Sequence, residues 1–101
     1  MRLTASAAQR EVRRLSVTTA NIVWTDHVNE QMEERGIDAD DVLKILRGGY
    51  VDEEPEPGKG PLDWKVRVNL KLKDRRVAVV VTVIQDSTRL ILVTAFWRDG
   101  S

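Results

Sequence analysis

Between residues 62 and 97 the apolar and polar positions fall into three runs, each with the signature of an extended strand. Residues 64–72 (WKVRVNLKL) alternate without a fault, setting Trp64, Val66, Val68, Leu70 and Leu72 against Lys65, Arg67, Asn69 and Lys71. A period of two puts the first set on a buried face and the second on the opposite one. Residues 77–84 (VAVVVTVI) are apolar on both sides and β-branched at most positions, as expected of a central strand. Residues 90–97 (LILVTAFW) are the third run, with Thr94 as its one polar position. Together they predict a meander within one antiparallel sheet, and everything upstream must cover one of its faces or lie at its edge.

Turn chemistry sets the register. Residues 73–76 (KDRR) are expected to form a four-residue loop pairing Leu72 with Val77, Leu70 with Val79 and Val68 with Val81. Val77, Val79, Val81 and Val83 then join Trp64, Val66 and Val68 in the core, while Arg67, Asn69, Val80 and Thr82 share the other face. The last turn, residues 85–89, is read as a five-residue loop because that length puts Thr94 outside, along with Leu92 and Phe96. A two-residue turn at Asp86 and Ser87 would put all three inside, since a one-residue slip inverts every side chain.

The first half of the chain is helical in pattern. Ala8, Val12 and Leu15 make a narrow stripe on a helix over about residues 6–15. This helix is expected to pack at the domain's edge, with a partner-binding arm as the alternative. Ile22, Val23 and Trp24 read as an edge strand or a buried anchor. Thr25 or Asp26 caps a helix that runs to Arg35 with Val28 and Met32 inward, and Gly36 stops it. Asp38 caps the next helix, whose buried stripe is Val42, Ile45 and Leu46 and whose stop is Gly48 and Gly49; Asp40 and Asp41 suit the positive end of its dipole. These two helices predict a short hairpin that needs the sheet beneath it to be stable. Tyr50 and Val51 are a candidate further strand. Residues 52–61 (DEEPEPGKGP) hold all three prolines of the chain and read as a loop.

The expected fold is α+β: two or three N-terminal helices packed on one face of a four- to five-stranded antiparallel sheet. A chain of 101 residues suits one core. The expectation is a single domain over 1–101, made of an N-terminal helical arm (1–20), a strand and helical hairpin (21–49) and the sheet (50–99). The chain has no cysteine, which excludes a disulfide framework and a thiolate metal site and fits a cytoplasmic setting. No run approaches the roughly 20 apolar residues of a membrane span, so no membrane partner is expected.

Formal net charge is zero but unevenly placed. Residues 1–24 carry net +3, residues 25–56 net −8 and residues 57–101 net +5. A neutral protein built this way can still present one positive face, although ordinary solvated surfaces would give the same distribution.

The run TDHVNEQMEERGID at residues 25–38 resembles the "H-A-x-x-R-M-x-x-R-G-I-S" motif of a bacterial family known as domain of unknown function 4258. The following helix, its Gly48-Gly49 stop and the meander ending in VTAFW at residues 93–97 are also similar to that family, over roughly residues 22–99. That family is itself similar to the RelE-like toxins, small metal-independent ribonucleases of the barnase–EndoU–colicin–RelE arrangement. The resemblance implies helices on one face of an antiparallel sheet, a concave opposite face that meets RNA, and an antitoxin protein as partner. It implies an endoribonuclease, with ribosome-associated RNA as a candidate substrate. Two positions depart from the motif: Gln31 stands where the family tends to have Arg, and Val28 where it has Ala. Losing that Arg removes a candidate phosphate contact.

A ribonuclease without metal needs a base for the 2′-OH proton, a donor for the leaving 5′-oxygen, and positive charge beside the phosphorane. His27, the only histidine, is the candidate base or acid. It cannot do both in one step. Lys65 and Arg67 are the expected second groups, with Thr94 or Asn69 fixing the phosphate. Asn69, Lys71, Arg75 and Arg98 are the candidate substrate contacts, in line with a basic strand and turn facing phosphates. The competing reading is an edge strand that uses charge against aggregation. Trp64 and Trp97 sit in apolar settings that favour core packing over base stacking. No metal and no cofactor is expected: His27 with Glu30 and Glu34 offers a single imidazole, and Gly58-Lys59-Gly60 lacks the spacing and helix of a phosphate loop.

Overall fold

The structure, a computed structural model, describes residues 2–98. Three helices pack against a five-stranded mixed sheet. The order along the chain is α1 (Ala5–Ser16), a 3-10 turn (Thr19–Asn21), β1 (Ile22–Val23), α2 (Asp26–Arg35), α3 (Ala39–Gly48), β2 (Glu56–Pro57), β3 (Asp63–Leu72), β4 (Arg75–Ile84) and β5 (Leu90–Trp97). Across the sheet the order is β1-β5-β4-β3-β2. The expected all-antiparallel sheet is corrected at one edge: β1 runs parallel to β5, Ile22 facing Leu90 and Val23 facing Ile91.

Helices α2 and α3 begin on side chains the pattern predicts, and α1 begins on Thr4, a cap the pattern does not single out. Thr25 Oγ1 accepts from the Val28 N–H at 3.2 Å, and Thr4 does the same for Ala7 at the start of α1. Asp38 and Asp41 form a reciprocal capping box on α3, with Asp38 Oδ1 accepting from the Asp41 N–H at 2.8 Å. Gly36 ends α2 at φ +67°, a conformation that strains residues with a Cβ.

One face of the sheet carries the core. Val66, Val68, Val77, Val79, Val81, Val83, Leu90, Leu92 and Ala95 are all 2 % exposed or less. They meet Ala8, Val12 and Leu15 of α1, Val28 and Met32 of α2 and Val42, Ile45 and Leu46 of α3. Each large aliphatic side chain so buried contributes about 1.5–3 kcal/mol, so α1 is integral to the core and not an arm at its edge. The expected hairpin of α2 on α3 is likewise revised: α3 packs on α1, β3 and β4, whereas α2 packs along β5.

Helices α1 and α3 also exchange arginines. Arg13 donates to the Gly49 carbonyl from Nε at 3.1 Å and from Nη2 at 2.7 Å, at the end of α3. Arg47 Nε donates to the Ser16 carbonyl at 2.9 Å, at the end of α1. Each guanidinium satisfies carbonyls that have no partner within their own helix and sits at the negative end of its dipole.

Two registers differ from expectation. The β3–β4 hairpin turns on two residues, Lys73 (φ +47°) and Asp74 (φ +67°), so Leu72 faces Arg75, Leu70 faces Val77 and Val68 faces Val79. Two positive φ values in succession match the right-handed twist of the strands; the shift from the expected pairing is an even number of residues, so every predicted face survives. At β4–β5 the register changes between Val80 and Val81. Before this bulge Leu92 faces Val81 and is fully buried, which corrects its expected outward position. After it Thr94 faces Val80 and Phe96 faces Ala78, as expected. The bulge therefore lets one strand bury Leu90 and Leu92, then Ala95, while keeping Thr94 off the core face.

Tyr50 and Val51 do not form a strand; Tyr50 makes a single bridge to Asn69. The edge strand lies instead within the predicted loop, where Glu56 and Pro57 pair with Lys65 and Trp64. Among the described residues no helix is long and apolar enough to cross a membrane.

Candidate nucleic-acid interface

The face of the sheet away from α1 and α3 carries Lys65, Arg67, Asn69 and Lys71 on β3. Across the ladder they meet Thr82, Val80, Ala78 and Arg76 on β4. Arg67, Val80 and Thr94 lie in one line across three strands, so Arg67 and Thr94 stand about 10 Å apart at the backbone. Lys65 is exposed and, among the described residues, makes no ion pair.

Thr94 is connected to the histidine through α2. His27, Gln31 and Arg35 recur every four residues on the helix side that lies along β5. Gln31 Oε1 accepts from the Ala95 N–H at 3.3 Å and from the Thr94 hydroxyl. An N–H can only donate, so the amide orientation is fixed and Gln31 Nε2 points at His27 Nε2, 3.0 Å away. In the neutral imidazole Nε2 is then the acceptor and the proton sits on Nδ1.

The rest of that helix face closes the strand edge. Arg35 Nη1 donates to the Ala95 carbonyl at 2.6 Å, and Thr25 Oγ1 donates to the Leu92 carbonyl at 3.0 Å. Trp97 Nε1 donates to the Arg35 carbonyl at 2.7 Å. Backbone groups of β5 that lie beyond the two-residue β1 thus find partners on α2, which leaves no open edge there for another strand. The motif's positions 31 and 35 do structural work in this chain.

At the other end of the line the cationic groups are already held. Arg67 Nη2 pairs with Glu53 Oε1 and lies 3.9 Å from Asp52 Oδ1; its Nε is buried and has no partner among the described residues. Asn69 is 1 % exposed, which removes it as a direct phosphate contact. Its Nδ2 donates to Asp52 Oδ1 at 3.0 Å and to the Tyr50 carbonyl at 3.3 Å, and its Oδ1 accepts from Arg98 Nη1 at 3.0 Å. Arg98 also pairs with Asp52 Oδ2 at 3.5 Å. Arg67, Asn69 and Arg98 therefore do come together, but around the Asp52 carboxylate. Glu53, Glu54 and Glu56 line a pocket of about 160 Å³ with Lys65, Arg67 and Val80.

The remaining candidates scatter. Lys71 is exposed beside the β3–β4 turn, next to Arg76. Arg75 lies on the opposite face from Arg67, its guanidinium 4.0 Å from the centroid of the Trp97 ring, and so is not part of this interface. Trp64 and Trp97 pack against the core. Among the described residues no group of three His, Asp or Glu side chains converges on a metal site. The acidic residues 52–56 had a visible signal, a block of net −8 abutting one of net +5, but reading the segment as a loop hid its destination.

Three helices on one face of a five-stranded mixed sheet, with a polar helix edge and a half-masked basic face, define a small α+β domain. The chain belongs to the family described as domain of unknown function DUF4258, whose model matches residues 24–97. No curated protein matches it, and no solved structure does.

Proposed function

We propose that this chain is a RelE-like toxin: a metal-independent endoribonuclease that acts on RNA across the open sheet face and is neutralised by an antitoxin protein. The observation that carries this reading is the Arg67–Val80–Thr94 line, joined through Gln31 to His27 and left uncovered by α1 and α3. A phosphodiester lying over Val80 would have Arg67 and Lys65 on one flank to stabilise the charge of an in-line phosphorane. On the other flank Thr94 would orient a phosphate oxygen. His27, its Nε2 3.0 Å from Gln31 Nε2, is the candidate acid or base: as the imidazolium it would donate to the leaving 5′-oxygen, and as the free imidazole it would take the 2′-OH proton.

Expression of wild type beside His27→Ala and Arg67→Ala tests this, with growth and RNA integrity as readouts, with and without ribosomes. Wild type should arrest growth and cut RNA, and both variants should lose cleavage. A wild type that neither arrests growth nor cuts RNA overturns the enzyme. The second reading is a non-catalytic module of the same fold that docks a protein on this face. The grip of Glu53 and Asp52 on Arg67 favours it, because a guanidinium held by carboxylates accepts them as ligands.

A further inference from the structure

The acidic segment on the open face has an arrangement that its role as a connection does not require. It is tied at both ends: by the Tyr50–Asn69 bridge on one side, where both backbone bonds are 2.9 Å, and by the pairing of Glu56 and Pro57 with β3 on the other. Pro55 between them is buried, whereas Glu53 and Glu54 are exposed. The middle of the segment is thus held against the sheet while its carboxylates point at cations. Glu53 takes Arg67, Asp52 takes both Arg67 and Arg98, and Glu54 lies 3.7 Å from Arg2.

Resting on the reading that this face takes RNA, we infer that residues 52–54 are an internal mask whose carboxylates occupy the cationic groups a phosphate would otherwise use. The two carboxylates differ in role. Asp52 is the hub of a network that joins Arg98 to the buried Asn69, and it holds the segment in place. Glu53 has an exposed side chain (64 %), and among the described residues its one ion pair is with Arg67. It can swing into water without unpairing a buried group, since the exchange is one carboxylate for one phosphate on the same guanidinium. An anionic polymer therefore competes with Glu53 for Arg67 while Asp52 stays in place. The free protein consequently binds RNA more weakly than its basic strand would suggest, and the mask tunes affinity without a separate regulator.

The test measures binding of a fluorescein-labelled oligouridylate to full-length wild type, to Glu53→Gln/Glu54→Gln, and to Glu30→Gln/Glu33→Gln. The last variant makes the same change in net charge on the exposed side of α2. Unmasking Arg67 should tighten binding about tenfold and steepen the slope of log K against log salt by about one, the value of one added phosphate contact. The α2 variant should move binding by less than about threefold. Adding Arg67→Ala to the unmasked variant should abolish the gain. Thermal melting checks that each variant folds, and Glu53→Gln alone should give most of the effect, since Glu54 faces Arg2 and not Arg67. Equal tightening in both charge variants, or wild type binding as tightly as the unmasked form, overturns the mask and leaves the RNA face standing. No RNA binding by any variant overturns the RNA reading and the mask with it.

Discussion

Replacing Gln31 by methionine should damage the protein more than replacing it by alanine, although methionine is much the closer match to glutamine in size. Gln31 Oε1 is the partner of the Ala95 N–H, and Ala95 is wholly inaccessible to solvent. Methionine fills nearly the volume of glutamine and keeps the β5 edge dry, yet its thioether is a poor acceptor. The Ala95 N–H is then buried unsatisfied and the Thr94 hydroxyl loses its acceptor, at a cost of roughly 1–3 kcal/mol. Alanine removes the cover as well as the acceptor, so water can reach the edge and recover most of the loss, leaving about 0.5–1 kcal/mol. Against a total stability of roughly 5–15 kcal/mol for a domain this size, the difference is measurable by urea titration. Tryptophan fluorescence is a suitable probe because Trp97 Nε1 is bonded to Arg35 on the same helix. Glu33→Ala, at an exposed position of α2, should stay within about 0.5 kcal/mol of wild type. If Gln31→Met is as stable as Gln31→Ala, the edge is already wet and the account of α2 as its closure is wrong.

Two other substitutions probe how the helices are anchored. A Cβ on Gly49 would come within 2.6 Å of the Asn69 carbonyl oxygen and 2.8 Å of Val68 Cγ1, so Gly49→Ala should force backbone movement. A loss of about 1–3 kcal/mol, read as a lowered melting temperature, is expected, whereas Gly48→Ala, with open space around it, should be neutral or stabilising. Arg13→Ala and Arg47→Ala should each cost about 1–2 kcal/mol by urea titration, through lost bonds to the terminal carbonyls of α3 and α1.

Local chemistry made the elements legible. Thr25, Asp38 and Gly36 mark helix ends through groups that sit within four residues of what they satisfy, and the alternation of residues 64–72 needs only its own period. Contacts distant in the chain were not legible. The two-residue β3–β4 turn has no mark in the sequence, because Lys73-Asp74 lacks the Asn or Gly usual where both φ values are positive. The bulge in β5 leaves no mark in LILVTAFW, so no single register could have placed both Leu92 and Thr94 correctly. In the site, periodicity alone puts Lys65 and Arg67 on the open face, whereas Thr94 reaches it through the choice of loop length that keeps a polar residue out of the core. The joining of the buried Asn69 to Arg98 is not legible, since nothing in an alternating strand shows which polar residue an acidic segment 17 positions earlier will cover.

The family segment begins at Trp24, yet the cooperative unit does not. Cutting the chain there would remove β5's parallel neighbour, the stripe of α1 that fills the helix side of the sheet, and the guanidinium that caps α3. An apolar trough and bare carbonyls would remain. Any other polypeptide sharing only this segment must therefore fill that trough with a filler of its own, and the filler's shape need not resemble α1 at all.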